Sequence, residues 1–243
     1  MYAILSFHAI FSDPATCLGK RLGIPILTNY VPDDKTTFIV FGAHVYAHIL
    51  CKVPGAKFII VNTEAPQSDV LRNKYYIELL LAHPIFDYHP LSSDHIDTLG
   101  GRVVGGVPME FTPYQSTLRP IDILFVGAYS ELRSTIESAL PKHLTIRFET
   151  KVDSMPLLLC RAKTVLNIPY YPGLLETHRI HQALACGCKV ISLGPPHPVY
   201  KDYVQFTQDI NGSIANQTIP LRSYQDLLRF VIIPQSLHLL SVM

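Results

Sequence analysis

Charge is scarce in this chain. Only 16% of its 243 residues are Asp, Glu, Lys or Arg, against about 25% in an ordinary globular domain. Its 20 basic and 19 acidic residues leave a net charge of +1, which excludes a broad electrostatic footprint for nucleic acid, an anionic membrane or an acidic partner. With a positive mean hydropathy, the sparse charge points to a chain that buries much of itself in packed layers. The five cysteines, Cys17, Cys51, Cys160, Cys186 and Cys188, are odd in number and form no C-x₂-C pair, so neither a structural zinc site nor a thioredoxin-type site is indicated. Cys186-x-Cys188 has no second pair elsewhere and reads as small apolar packing. A reducing, cytoplasmic setting fits best. Long apolar runs are lacking too. "MYAILSFHAIFS" has no basic leader region and reads as a first strand. The apolar C-terminal "LLRFVIIPQSLHLLSVM" is broken by Arg229, Pro234, Gln235 and His238, well short of the ~20 residues that span a bilayer. No transmembrane segment is expected.

Short apolar runs rich in β-branched and aromatic residues are present instead: "YAILSF" (2–7), "TTFIVFG" (36–42), "KFIIVN" (57–62) and "RVVGGVP" (102–108). Without strict alternation, such runs suit strands covered on both faces, that is, parallel sheets flanked by helices. "PYQSTLRP" (113–120) has linker composition. A second series follows: "IDILFVG" (121–127), "LTIRFE" (144–149), "KTVLNIP" (163–169) and "CKVISLG" (188–194), with helices expected over 131–140 and 174–187 and Gly187 as the stop of the latter. The expected architecture is α/β, two small Rossmann-like domains, 1–115 and 116–243, facing each other across a cleft. Ligands of open parallel sheets bind beyond the carboxyl ends of the strands, which directs attention to 8–16, 42–46, 63–68, 127–133 and 168–177.

In "IDILFVGAYSELR" a strand runs into Gly127, Ser130 is placed to cap a helix, and Arg133 lies in that helix's first turns. Glycine permits close backbone approach and free N–H groups at a helix start attract phosphate, although the same pattern makes an ordinary strand–helix turn. In "NIPYYPGLLETHRIHQALACG" Pro172 and Gly173 interrupt the strand, and a helix from about Leu174 places Glu176 and Arg179 on one face with Gln182 nearby. An acid at a helix start is favoured in any protein. A Glu, an Arg and a Gln together at a sheet's carboxyl end instead suit pyrophosphate and sugar hydroxyls. Contacts to such a ligand are expected from Gly127, Tyr129, Arg133, Tyr170, Gly173, Glu176, Arg179 and Gln182. In the first half Asp13, Glu64 and His44 all follow expected strands, as does His8. Asp13 reads equally as a cap or turn residue before Pro14, Glu64 equally as a loop-orienting residue, and the two histidines rank lower.

"IDILFVGAYSELRSTIESAL" and "LNIPYYPGLLETHRIHQALACGCKVIS" resemble the C-terminal domain of group 1-type, nucleotide-sugar-dependent glycosyltransferases of the two-Rossmann GT-B fold. "FIIVNTEAPQ" and "FDYHPLSSDHIDTLGGRVVGGVPMEFTP" resemble the end of the N-terminal domain in that superfamily, particularly its bacterial and large-virus members. The resemblance covers residues 57–192 and implies transfer of a sugar from a nucleotide-diphosphate sugar to a hydroxyl of a glycan or other glycoconjugate. The donor would lie on the second domain, with no cofactor, and catalytic roles would fall to Asp13 and Glu64 in the first. The family's Glu-x₇-Glu signature ends just before an A-x-A-x-G turn. Here "ALACG" (183–187) supplies the turn, but Gln182 stands for the second Glu and Leu174 for the first, with Glu176 two residues further on as the alternative bearer of the first role, so the signature is incomplete and retention versus inversion stays open. No Asp-x-Asp pair is present, and a metal-independent reaction is expected. The alternative is a nucleotide-binding or interaction module that kept the fold without the carboxylate pair.

Overall fold

A computed structural model describes all residues except 29–31, 108, 151–153, 172, 217–219 and 221; Pro172, invoked above as a strand breaker, is therefore outside the described residues. The chain separates into two compact units, Met1–Glu110 with Ile232–Met243, and Phe111–Val231.

The first unit holds six strands, β1 (Tyr2–Ser6), β2 (Ile26–Leu27), β3 (Thr37–Phe41), β4 (Lys57–Asn62), β5 (Pro84–Asp87) and β6 (Arg102–Gly106), all parallel, in the order β2-β1-β3-β4-β5-β6. Around them lie α1 (Ser12–Leu22), α2 (Ala47–Leu50), α3 (Lys74–Ala82) and α4 (Pro90–Thr98). Leu5, Phe38, Val40, Ile60 and Ile85 pack with Leu50, Leu79 and Leu80 as one core, and each such side chain contributes about 1.5–3 kcal/mol by leaving water. The expected strands are present within a residue or two. Two were not foreseen: β5 is only four residues long and opens on Pro84, at the first strand position where proline is tolerated, and β2 is only two residues long. The stretch 8–16, expected as a loop, is instead a 3₁₀ turn (Ala9–Phe11) leading into α1, with Asp13 in the first helical turn.

The second unit holds β7 (Ile121–Val126), β8 (Ile146–Glu149), β9 (Ala162–Asn167), β10 (Lys189–Leu193) and β11 (Gln205–Thr207), again parallel, in the order β11-β10-β9-β7-β8. Its helices are α5 (Glu131–Ala139), α6 (Met155–Leu159), α7 (Thr177–Ala185), α8 (Ile210–Ala215) and α9 (Tyr224–Leu227). Ile123, Phe125, Leu166 and Ile191 meet Leu140, Ile210 and Ile214 in its core. Gly187 stops α7 as expected: at φ +69° it lets Gly187 N–H reach Leu184 O (2.9 Å) and Cys188 N–H reach Ala183 O (2.9 Å), the paired bonds of a Schellman cap. The helix starts later than expected, at Thr177 and not near Leu174, so Glu176 is its cap residue.

The last helix, α10 (Ile233–Val242), clusters with the first unit, whereas the sequence reading counted it with the second half. Its apolar residues serve as packing against β6 and α1, where two glycines make room. A Cβ on Gly105 would stand 2.8 Å from His238, and one on Gly106 2.6 Å from Gln235. His238 Nε2 meets Val104 O at 2.6 Å. Among the described residues no helix is long and apolar enough to cross a membrane.

Both sheets reverse direction of growth next to their first strand. The second strand pairs on one side and the third on the other, so β1/β3 and β7/β9 are topological switch points, where loops leaving the carboxyl ends part and leave a crevice.

Candidate functional site

The switch point between β7 and β9 carries a polar cluster of the second unit. β7 delivers Gly127, and Ser130 caps α5, its Oγ accepting from Arg133 N–H at 3.3 Å. That cap fixes the first turn and turns Arg133 back under the loop, where the residue is only 3% exposed. Its Nε and Nη2 donate to Ile168 O (3.1 and 2.7 Å), Nη1 to Ala128 O (2.7 Å), and Nη2 to Glu176 Oε1 (2.7 Å). From α7, Arg179 donates through Nε to Val126 O (2.9 Å) and through Nη1 to Asn167 Oδ1 (3.0 Å), and its Nη2 lies 2.5 Å from Glu176 Oε2. Tyr170 N–H donates to Glu176 Oε1 at 2.7 Å. One carboxylate therefore joins two guanidiniums and a loop amide.

A guanidinium has five N–H donors, and these partners do not use them all. Arg133 Nη1, Arg179 Nη1 and Arg179 Nη2 each hold one N–H beyond the bonds just named. Two of these nitrogens stand over Gly127: a Cβ built there would lie 2.8 Å from Arg179 Nη2, 3.2 Å from Arg133 Nη1 and 2.9 Å from Phe125. Absence of a side chain at Gly127 thus makes room for both guanidiniums at the end of β7. Phe125 supports the pair, with the Arg133 and Arg179 guanidinium carbons 4.8 and 5.0 Å from its ring centre, and Tyr170 lies 5.2 Å from Arg133. Burial lowers the pKa of both arginines, opposed by Glu176, yet arginine stays charged in proteins. Two cations and one anion leave the arginine cluster itself positive, while the carboxylates of Glu137 and Glu149 line the recess beside it. A recess of about 100 Å³ opens here, lined by Gly127, Tyr129, Arg133 and Glu149 among others.

Of the residues singled out in the sequence, Gly127, Arg133, Tyr170, Glu176 and Arg179 are brought together. Tyr129 borders the recess and is 69% exposed. Gly173 is exposed, at φ +82° with open space around it. Gln182 is half-buried, and its side-chain amide has no hydrogen bond to a described residue. Glu176, pictured as facing a ligand, is engaged on both oxygens by the arginines and Tyr170. Two residues were missed. Asn167, fully buried at the end of β9, accepts from Arg179 and donates from Nδ2 to Ser192 Oγ at 3.0 Å. The signal for it was a lone amide closing the apolar run "KTVLN"; Ser192, inside its own strand, gave none. In the first unit, Asp13 Oδ1 lies 3.9 Å from Cys17 Sγ along α1. Glu64, in the loop after β4, pairs with His44 at 3.5 Å. Among the described residues no group of three or more His, Cys, Asp or Glu side chains could hold a metal ion.

No protein-family model matches the chain, and no curated protein matches it. Among solved structures it is weakly similar to one described as "Crystal structure of GtfA/B complex", at 10% identity and a TM-score of 0.44, over 87% of this chain and 57% of that one. The chain thus spans little more than half the length of that neighbour.

Proposed function

We propose that this protein is a glycosyltransferase of the two-Rossmann GT-B type that takes a nucleoside-diphosphate sugar as donor and transfers its sugar to a hydroxyl of a glycan or glycoconjugate. The observation that carries this reading is the pair of spare guanidinium donors over Gly127 at a switch point. Paired, pre-positioned guanidinium N–H groups match a diphosphate, first as ligand and then as leaving group, whose charge grows as the bond to the sugar breaks. Glu176 acts in this reading as the brace that holds both arginines in place. Tyr129, Tyr170 and Gly173 border the donor, and Gln182 serves a ribose hydroxyl, since an amide both donates and accepts. The first unit would serve the acceptor, and five free cysteines suit a reducing cytoplasm.

The test is a panel of uridine, guanosine and adenosine diphosphate sugars, with nucleoside-diphosphate release measured. Release from at least one donor supports the reading. Binding without release at any pH favours a non-catalytic nucleotide-binding module, the reading that Gln182 in place of a family Glu keeps in view. Absence of binding refutes both.

A further inference from the structure

The recess beside Gly127 joins two opposite chemistries, both on residues of the second unit. On one side Arg133 Nη1 keeps an N–H beyond its bond to Ala128 O. On the other stand two carboxylates. Glu137 lies one turn on from Arg133 along α5, on the same face, and Glu149 ends β8. The ladder fixes Glu149 beside the glycine loop: it pairs with Val126, and Gly127 N–H donates to Glu149 O at 2.9 Å. Arg147 Nη2 engages Glu149 Oε1, whereas Glu149 Oε2 has no hydrogen bond to a described residue. Phe125 and Phe148, paired in the same ladder with ring centres 5.0 Å apart, and Tyr129 add aromatic surface to the recess.

A diphosphate alone does not account for this arrangement, because carboxylates repel it. A ligand that is anionic at one end and carries N–H donors at the other does. An ionised carboxylate only accepts hydrogen bonds, so it sorts the nucleotide bases by their edges. Guanine offers two adjacent donors, N1–H and the 2-amino group, with no acceptor between them. Uracil has a single N–H flanked by two carbonyls. Adenine and cytosine set a ring-nitrogen acceptor beside their amino group. Each of these three turns a lone pair towards the carboxylate, and guanine alone does not.

We propose that the recess selects guanine, with the Glu149 carboxylate accepting from N1–H and the 2-amino group, so that the donor is a guanosine-diphosphate sugar. The two oxygens offer about four acceptor positions, enough for both guanine N–H groups beside the Arg147 bond. The side chain is 27% exposed, and partial withdrawal from water makes a mismatched base edge costly. Glu137 adds a second negative charge that disfavours a carbonyl edge in the same place. The aromatic surface stacks on a base of any kind, so it contributes affinity while Glu149 makes the choice.

The inference rests on the donor reading above, and the experiment separates the two. Wild type and Glu149→Gln are titrated by calorimetry with guanosine, inosine, uridine and adenosine diphosphates. Inosine keeps N1–H and lacks the 2-amino group, so the guanosine-to-inosine ratio reads the proposed contact in wild type alone, whatever the variant does to folding. Expected is wild-type affinity for guanosine diphosphate at least about tenfold above each of the other three. In Glu149→Gln, whose amide replaces one acceptor by a donor, that preference should fall to within about threefold, with uridine and adenosine diphosphates bound no more weakly than by wild type. Equal wild-type affinity for guanosine and inosine diphosphates, a preference for uridine or adenosine, or a guanosine preference that survives in Glu149→Gln overturns the inference and leaves the diphosphate site standing. A wild type that binds none of the four overturns the donor reading, and the base site with it.

Discussion

Arg179 Nη2 stands 2.8 Å from where Gly127 would carry a Cβ. Real Cβ atoms do not come so close, and Arg179 cannot swing away cheaply because Val126 O, Asn167 and Glu176 hold it. Gly127→Ala is therefore expected to lower nucleoside-diphosphate affinity about tenfold, roughly 1.4 kcal/mol, with the free nucleoside affected much less. Titration calorimetry reads both, and equal losses would remove Gly127 from the site.

Glu176 braces two buried guanidiniums. Taking away one partner of a fully buried pair costs about 3–5 kcal/mol. With the Glu176 side chain 26% exposed, Glu176→Ala is expected to cost less, about 2 kcal/mol, and to lower Tm by roughly 4–8 °C. Glu176→Gln, which can still accept a hydrogen bond, falls between. Thermal unfolding checks this order; an unchanged Tm in the alanine variant would show that the arginines need no brace.

His178 packs edge-on against Phe111, ring centres 4.9 Å apart. Burial, with His181 and Arg179 adding to it, lowers its pKa from 6.5 to about 3. Between those values the unfolded chain takes up a proton that the folded chain refuses. The contribution is present in full above 6.5 and is lost as pH falls towards 3. Asp87, raised by burial from 3.8 to about 7, acts oppositely, its contribution lost as pH rises through 7. Comparing wild type with His178→Phe at each pH isolates the histidine: the variant should gain on wild type steadily from pH 6.5 to 4.5 in urea unfolding. Parallel curves would show that His178 does not titrate this way.

Turnover is expected to survive excess EDTA. In the proposed reaction Arg133 and Arg179 would supply the positive charge a leaving diphosphate needs, and the chain has no Asp-x-Asp pair. Loss of activity with the chelator, restored by manganese or magnesium, would contradict this.

Much of this was legible in the sequence because buried parallel strands write themselves as short apolar runs. "IDILFV" became β7 and "KFIIVN" became β4. Gly127, Ser130 and Arg133 declared a strand–turn–helix whose cap formed as read. The late start of α7 was not legible, since Leu174 and Leu175 are apolar and helix-compatible yet are buried in the loop before it. Nor could spacing reveal that Glu176 reaches Arg133, 43 residues earlier, or that Asn167 holds Arg179, because such partners are chosen by tertiary packing. The pairing of Glu64 with His44 was hidden in the same way; each was noted singly, on a different loop.

The most direct test of the account is the affinity of wild type and Arg179→Lys for a nucleoside diphosphate and for its parent nucleoside, measured by calorimetry on folded protein. Lysine keeps the charge but loses the planar fork that spans Val126 O, Asn167 and Glu176 while leaving a donor over Gly127. The account predicts that wild type binds the diphosphate much more tightly than the nucleoside, and that Arg179→Lys loses about tenfold or more for the diphosphate, roughly 1.4 kcal/mol, with little change for the nucleoside. Equal affinity of wild type for both ligands, or an Arg179→Lys variant indistinguishable from it, would contradict a diphosphate site at the β7/β9 switch point.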